Sequence, residues 1–165
     1  TDSDHAGCLE TRKSTSGGVI QYGTHTLKTW SSTQNVIALS SGEAEYYAMV
    51  KAGSQGLGLQ AMAKDLGVDA KVRVQGDATA AKGIASRKGL GQVKHIEVNQ
   101  LWLQDRVGKG DLDITKIPRE INVSDQMTKD PTGPEIEKFM VGTGLEWRGG
   151  RHELAPVYER KDGDV

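Results

Sequence analysis

The spacing of apolar residues changes twice along this chain, and each change defines an element that the others must pack against. From Ser41 onward, Ala44, Ala48, Ala52, Leu59, Ala63 and Leu66 recur at three-, four- and seven-residue intervals, which marks one face of a helix. Ser40 or Ser41 can cap this helix and Gly67 closes it, while Glu43 and Glu45 fall where acids suit the positive helix end. Gly53, Gly56 and Gly58 each weaken the helix by roughly 1 kcal/mol relative to alanine. Tertiary packing must therefore hold it, and close approach to a sheet is the expected use of the missing side chains.

On the amino side of that helix, Gly17-Gly18 opens a short strand through Val19, Ile20 and Tyr22. A turn at Gly23-Thr24 leads to a second strand over about 25–32, with Leu27 and Trp30 as its large apolar residues. On the carboxyl side, Val72-Arg73-Val74 is a strand that ends at Gly76-Asp77 and runs into a short helical stretch over 78–85. A third helix covers about 96–107, with Val98, Leu101, Trp102 and Val107 on its apolar side. Leu112, Ile114 and Ile117 then form a strand that Pro118 stops, and Asn122 or Ser124 introduces a last helical turn bearing Asp125 and Met127. This order predicts one α/β domain, a mixed central β-sheet flanked by helices, over residues 1–131. Residues 132–165 read as a loosely packed extension of glycine, charge and isolated aromatics.

A length of 165 residues suits a single domain with a useful core. The formal charge of −1 argues against a globally basic polyanion binder and leaves room for local basic patches. With Cys8 as the one cysteine, an internal disulfide is excluded and a cysteine-rich zinc site is implausible. A reducing intracellular setting is compatible with that count. No apolar run approaches the roughly 20 residues of a membrane span, and the start carries no secretory-signal pattern, so no membrane partner is expected.

Against this frame stand four acids at distant positions: Asp2, Glu45, Asp77 and Asp125. Three of them adjoin apolar runs, where a charge is costly unless a metal or another partner compensates it. Asp77 lies at the carboxyl end of a strand, where open α/β sheets place ligand-binding groups. Each also has a plainer reading. Asp2 can be a terminal surface residue, Glu45 a helix-end acid, Asp77 a cap, and Asp125 a cap or a partner for Lys129. Glu43 reads as a helix-end acid or a surface residue, and Asp4 as a turn acid or an outer helper of the site. His5, His25 and His152 have no ligand spacing and read as surface residues.

The stretches TDSDHAG, ETRKSTSGG, LSSGEAEYYA, GDATAA, VKHIE and SDQMTKD, in this order over about 1–131, resemble the ribonuclease H domain of Ty1/copia-type retrotransposon Pol polyproteins. The resemblance implies a ribonuclease H-like fold, its first strand cut short at the amino end, and hydrolysis of the RNA strand of RNA/DNA hybrids. It implies Asp2, Glu45, Asp77 and Asp125 as catalytic residues and ligands of two Mg²⁺ ions, or Mn²⁺ in their place, with Asp2 bridging. Hard divalent cations prefer such oxygen ligands, and a pair of them can activate water and stabilise both phosphoryl and leaving oxygens. It further implies the reverse transcriptase domain of the same polyprotein as a partner, and the cytoplasm or a retrotransposon particle as the location. His5, Gly76 and Ala78 stand where the family commonly carries Trp, Cys and Asn.

For the hybrid substrate, Arg12 and Lys13 offer phosphate donors, and Ser14, Thr15 and Ser16 offer hydroxyls suited to an RNA minor groove. His95 of VKHIE is expected in a local structural or substrate-side role, with packing at a helix start as its plainer reading, and Lys94 on the substrate side, where Lys88, Arg106 and Lys109 could extend a phosphate track. Two other classes share this pattern. One is a degenerate, noncatalytic domain that binds protein or nucleic acid, and the other is a DNA nuclease or strand transferase on the same fold.

Overall fold

The computed structural model describes residues 1–91 and 93–146. Strand β1 (Asp2–Ser3) pairs antiparallel with β2 (Thr15–Tyr22), which pairs antiparallel with β3 (His25–Thr33). Helix α1 (Ser41–Asp65) follows, then β4 (Val72–Gly76), α2 (Thr79–Ala85), a 3₁₀ turn into α3 (Trp102–Lys109), and β5 (Leu112–Lys116) parallel to β4. Thr1 joins the two groups of strands. Its amino group donates to Gln75 O (2.6 Å), its hydroxyl donates to Gly17 O (2.9 Å), and its carbonyl accepts from Asn122 Nδ2 (3.1 Å). The result is a mixed α/β architecture with a central sheet flanked by helices.

The predicted elements appear where the periodicity placed them, with one internal change. The third helix is broken: residues 98–101 wind as a 3₁₀ turn before α3 begins at Trp102. Helix α1 starts at the Ser40 cap, whose hydroxyl accepts from Glu43 N–H (3.2 Å). A Cβ on Gly53 would meet Leu103 at 2.9 Å and one on Gly56 would meet Val72 at 2.8 Å, so these two glycines do serve close packing. Gly58 faces open space.

The core lies between α1, the β4–β5 pair, α2 and α3, and is built from Tyr46, Met49, Val74, Ile84, Leu103, Leu112 and their neighbours. The far end of the helical stripe is less covered. Leu59 and Ala63 are half-buried along a cavity of about 410 Å³ between the edges of β2 and β4, and Leu66 is exposed.

Two 3₁₀ turns (Arg119–Ile121 and Val123–Met127) follow, the second packed against β2 over Gly17, and then α4 (Gly133–Thr143). Thr132 N–H donates to Glu135 Oε2 (2.7 Å) to start α4. Its last turn is tied to the hairpin, since Thr26 Oγ1 donates to Thr143 O (2.6 Å) and Gln21 Nε2 to Gly142 O (3.0 Å). The sequence reading assigned no element to this stretch, and the rest of the extension, 147–165, lies outside the described residues together with His152. Among the described residues, no helix is long and apolar enough to cross a membrane.

Candidate metal and nucleic-acid site

Three elements deliver three acids to one place. β1 carries Asp2, the first turns of α1 carry Glu45, and the loop leaving β4 carries Asp77. One carboxylate oxygen from each lies within 4.8 Å of the others. Asp2 and Asp77 meet because the Thr1 amino group is bonded to Gln75 O, which sets the start of β1 beside the end of β4.

Asp2 and Glu45 are almost wholly buried, at 3% and 8% exposure. Burial raises the Asp2 pKa; the charges of Asp125 and Asp77 raise it further, against the lowering effect of the Thr128 hydrogen bond and of Lys129. Glu45 is pushed up to about 7, by burial first and then by Asp2 and Asp77. Its Oε1 accepts from Ser3 N–H (3.1 Å), while its buried Oε2 has no partner among the described residues. A buried acceptor without a donor is costly, and a cluster of hard anionic oxygens at this spacing fits a divalent cation that would supply the missing charge. The cluster could therefore chelate a metal ion.

Asp125 is placed differently. It sits on the 3₁₀ turn Val123–Met127, close enough for its charge to raise Asp2, but outside the three-acid group. Its Oδ1 is engaged by Lys129 at the next turn and by Arg119 at 3.7 Å. Gly17, which pairs with Asp2 across the strands, lets this turn approach. A Cβ there would lie 2.6 Å from Met127 and 2.8 Å from Thr128. Thr128 can then donate to Asp2 Oδ2 at 2.5 Å. Sequence reasoning missed Thr128 and Ser3 as partners of the acids. Thr128 did carry a signal, lying one turn after Asp125.

The residues expected to face substrate divide into two groups. Arg12 is exposed, with φ 56 in the left-handed region, and Lys13 is half-buried beside it. Ser14 is fully buried, its Oγ accepting from Ala6 N–H (3.0 Å), and Thr15 N–H donates to Asp4 Oδ1 (2.5 Å). Ser14 and Asp4 thus hold the loop that presents Arg12. Lys94 is exposed, and His95 Nε2 lies 2.7 Å from Glu43 Oε2. Arg106 and Lys109 are paired with Asp111 (3.0 Å) and Asp105 (2.7 Å) on or beside their own helix. Glu43 overturns its surface reading: it is 1% exposed.

The chain is 30% identical over 131 residues to the Retrovirus-related Pol polyprotein from transposon TNT 1-94 of Nicotiana tabacum. The alignment covers 78% of this chain and 10% of the polyprotein, so the chain spans about a tenth of that relative's length. It supports a family-level relation to retrotransposon Pol proteins. No family model and no solved structure matches the chain.

Proposed function

We propose that this chain is the ribonuclease H domain of a retrotransposon Pol protein, with a ribonuclease H-like fold over residues 1–131, and that it cuts the RNA strand of RNA/DNA hybrids during reverse transcription. The observation that carries the reading is the convergence of Asp2, Glu45 and Asp77 from three elements, with the Glu45 Oε2 buried and without a partner among the described residues. These three would hold one divalent ion, and Asp125 with Asp2 a second, Mg²⁺ or Mn²⁺ in each case. Bound there, such ions would supply an activated water and charge stabilisation at the scissile phosphate.

The chain's own residues prepare that chemistry. Ser3 N–H and Thr128 Oγ1 fix one oxygen each of Glu45 and Asp2, leaving the remaining oxygens to the site. Arg12, Lys13 and Thr15 on one side, and Lys94 and His95 on the other, would meet the hybrid's backbone, with Ser14 supporting the first loop. The reverse transcriptase domain of the same polyprotein is the expected partner, in the cytoplasm or in a retrotransposon particle. A noncatalytic reading draws on one observation, the engagement of Asp125 by Lys129 and Arg119.

The test is cleavage of a uniform RNA/DNA hybrid and of matched double-stranded DNA with Mg²⁺ or Mn²⁺. Wild type should cut only the RNA strand of the hybrid, while Asp77→Asn and Glu45→Gln should lose at least about 100-fold of the rate, about 2.7 kcal/mol of barrier. Cutting of the DNA duplex would favour a DNA nuclease. Hybrid binding without cutting by wild type would favour the noncatalytic domain.

A further inference from the structure

Glu43 is a buried acid that the nuclease reading does not use. It is 1% exposed and fully hydrogen-bonded: Oε1 accepts from the Tyr47 hydroxyl (2.6 Å), and Oε2 accepts from Leu39 N–H (3.1 Å) and faces His95 Nε2 (2.7 Å). The Tyr47 and Leu39 bonds lie within one turn of α1 and its approach. The His95 contact reaches 52 positions along the chain, to a ring that is 45% exposed. A buried carboxylate is a poor means of gaining stability, because well-packed apolar residues usually do as well. Spending one on a half-exposed imidazole fixes the ring's orientation.

The segment that His95 ends has its own character. Between Ser86 and Ile96 the sequence contains Arg87, Lys88, Lys94 and His95 and no acid. It is held at two points by buried polar side chains. Near its start, Gln104 donates to Ile84 O (2.8 Å) and Gly89 O (3.1 Å) and accepts from Gly89 N–H (2.8 Å). At its end Glu43 grips His95, next to the buried Ile96. Lys94 stays exposed, and among the described residues the Nδ1 of His95 has no hydrogen-bond partner.

We propose that Glu43 is a positioning residue for nucleic-acid binding: it holds His95 so that the His95 ring edge and the neighbouring Lys94 meet the sugar-phosphate backbone of the bound hybrid. This rests on the nuclease reading for the identity of the ligand. Glu43 and Glu45 point about 200° apart around a helix roughly 10 Å across with its side chains. His95 therefore meets the backbone on the far side of the helix start from the three-acid cluster. Glu43 thereby links two stretches of sequence, LSSGEAEYYA and VKHIE, into one device: Glu45 serves the reacting phosphate and Glu43 serves the register of the strand that carries it.

The experiment measures affinity for a short RNA/DNA hybrid in EDTA, where no cleavage occurs, alongside Mn²⁺ affinity by calorimetry. Glu43→Gln and His95→Ala should each weaken hybrid binding by about 10-fold, and the double variant should weaken it no further, because both act through one contact. Mn²⁺ affinity should stay within about 2-fold. Independent, multiplying losses would overturn the proposal, as would equal losses of hybrid and Mn²⁺ affinity in Glu43→Gln. If Glu43→Gln does not fold, His95→Ala and Lys94→Ala decide the matter, since unchanged hybrid affinity in both refutes it. Wild type that binds hybrid in EDTA but leaves it uncut once Mg²⁺ or Mn²⁺ is added would refute the nuclease reading alone. Wild type that does not bind hybrid at all would refute both.

Discussion

Glu43 and Glu45 stand two residues apart on the first turns of α1, both shut off from solvent, and their surroundings treat the charge in opposite ways. Burial pushes Glu43 upward, but hydrogen bonds from Tyr47, His95 and the Leu39 N–H outweigh it and hold its carboxyl below the ordinary value of 4.5. Glu45 is pushed up to about 7 by burial first, with Asp2 and Asp77 beside it adding to the rise and one N–H donor from Ser3 opposing it. Burial alone therefore does not fix the sign: the donors around Glu43 outweigh it, while around Glu45 the like charges add to it. One side of the helix start is a finished anchor. The other is an arrangement that a cation would complete.

The comparison breaks most readily through deletion. Glu43→Ala would leave the Tyr47 hydroxyl, the Leu39 N–H and His95 without their acceptor and should cost about 3 kcal/mol of stability. Metal-free Glu45→Gln should cost less than about 1 kcal/mol, because it relieves repulsion while its carbonyl can still accept from Ser3. Urea denaturation at pH 8 reads both, and equal losses would show that the two sides do not differ.

Acidity separates the two sides next. Between 4.5 and about 7 the folded protein holds the Glu45 proton that the unfolded chain releases. Metal-free stability should accordingly fall as pH rises through that window, by on the order of 2 kcal/mol, and the raised Asp2 acts in the same direction. Glu43 has the opposite sign: its contribution is present above the ordinary carboxyl value and is lost as pH falls through its lowered one. Thermal melts across pH should show both limbs. Glu45→Gln should flatten the upper limb and Glu43→Gln the lower, and saturating Mg²⁺ should also flatten the upper limb.

The smallest expected effect is at Thr128. Thr128→Val removes the hydroxyl that donates to Asp2 Oδ2 and should cost about 1 kcal/mol. Asp2 would then be pushed further up, steepening the upper limb of the same pH melts. An unchanged slope would mean that Thr128 does not tune the acid.

Much of the fold was legible because it rests on local rules. The stripe from Ala44 to Ala63 produced α1 with its Ser40 cap, and Gly76-Asp77 ended a strand as read. The break at Trp102 was not legible, since apolar spacing does not distinguish a 3₁₀ turn from the first turn of a helix. Nor was the start of α4, although Thr132 and Glu135 carry the capping pattern within a polar stretch. For the acids, sequence could nominate Asp2, Glu45 and Asp77. It also offered Lys129 as a partner for Asp125, which the structure shows, but it could not foresee the approach of Arg119 to Asp125 or the burial of Ser14.

By itself, then, the sequence determined the kind and order of the elements and the chemical type of the site, because period, caps and residue class act over a few neighbouring positions. Only the tertiary structure decided which acids would be charged, satisfied or left open. Glu43 and Glu45 lie on the same helix turn, and what divides them comes from elsewhere in the chain: His95 reaches one, Asp2 and Asp77 the other. Electrostatic free energy depends on distance and on the loss of water, and neither exists until the chain has folded.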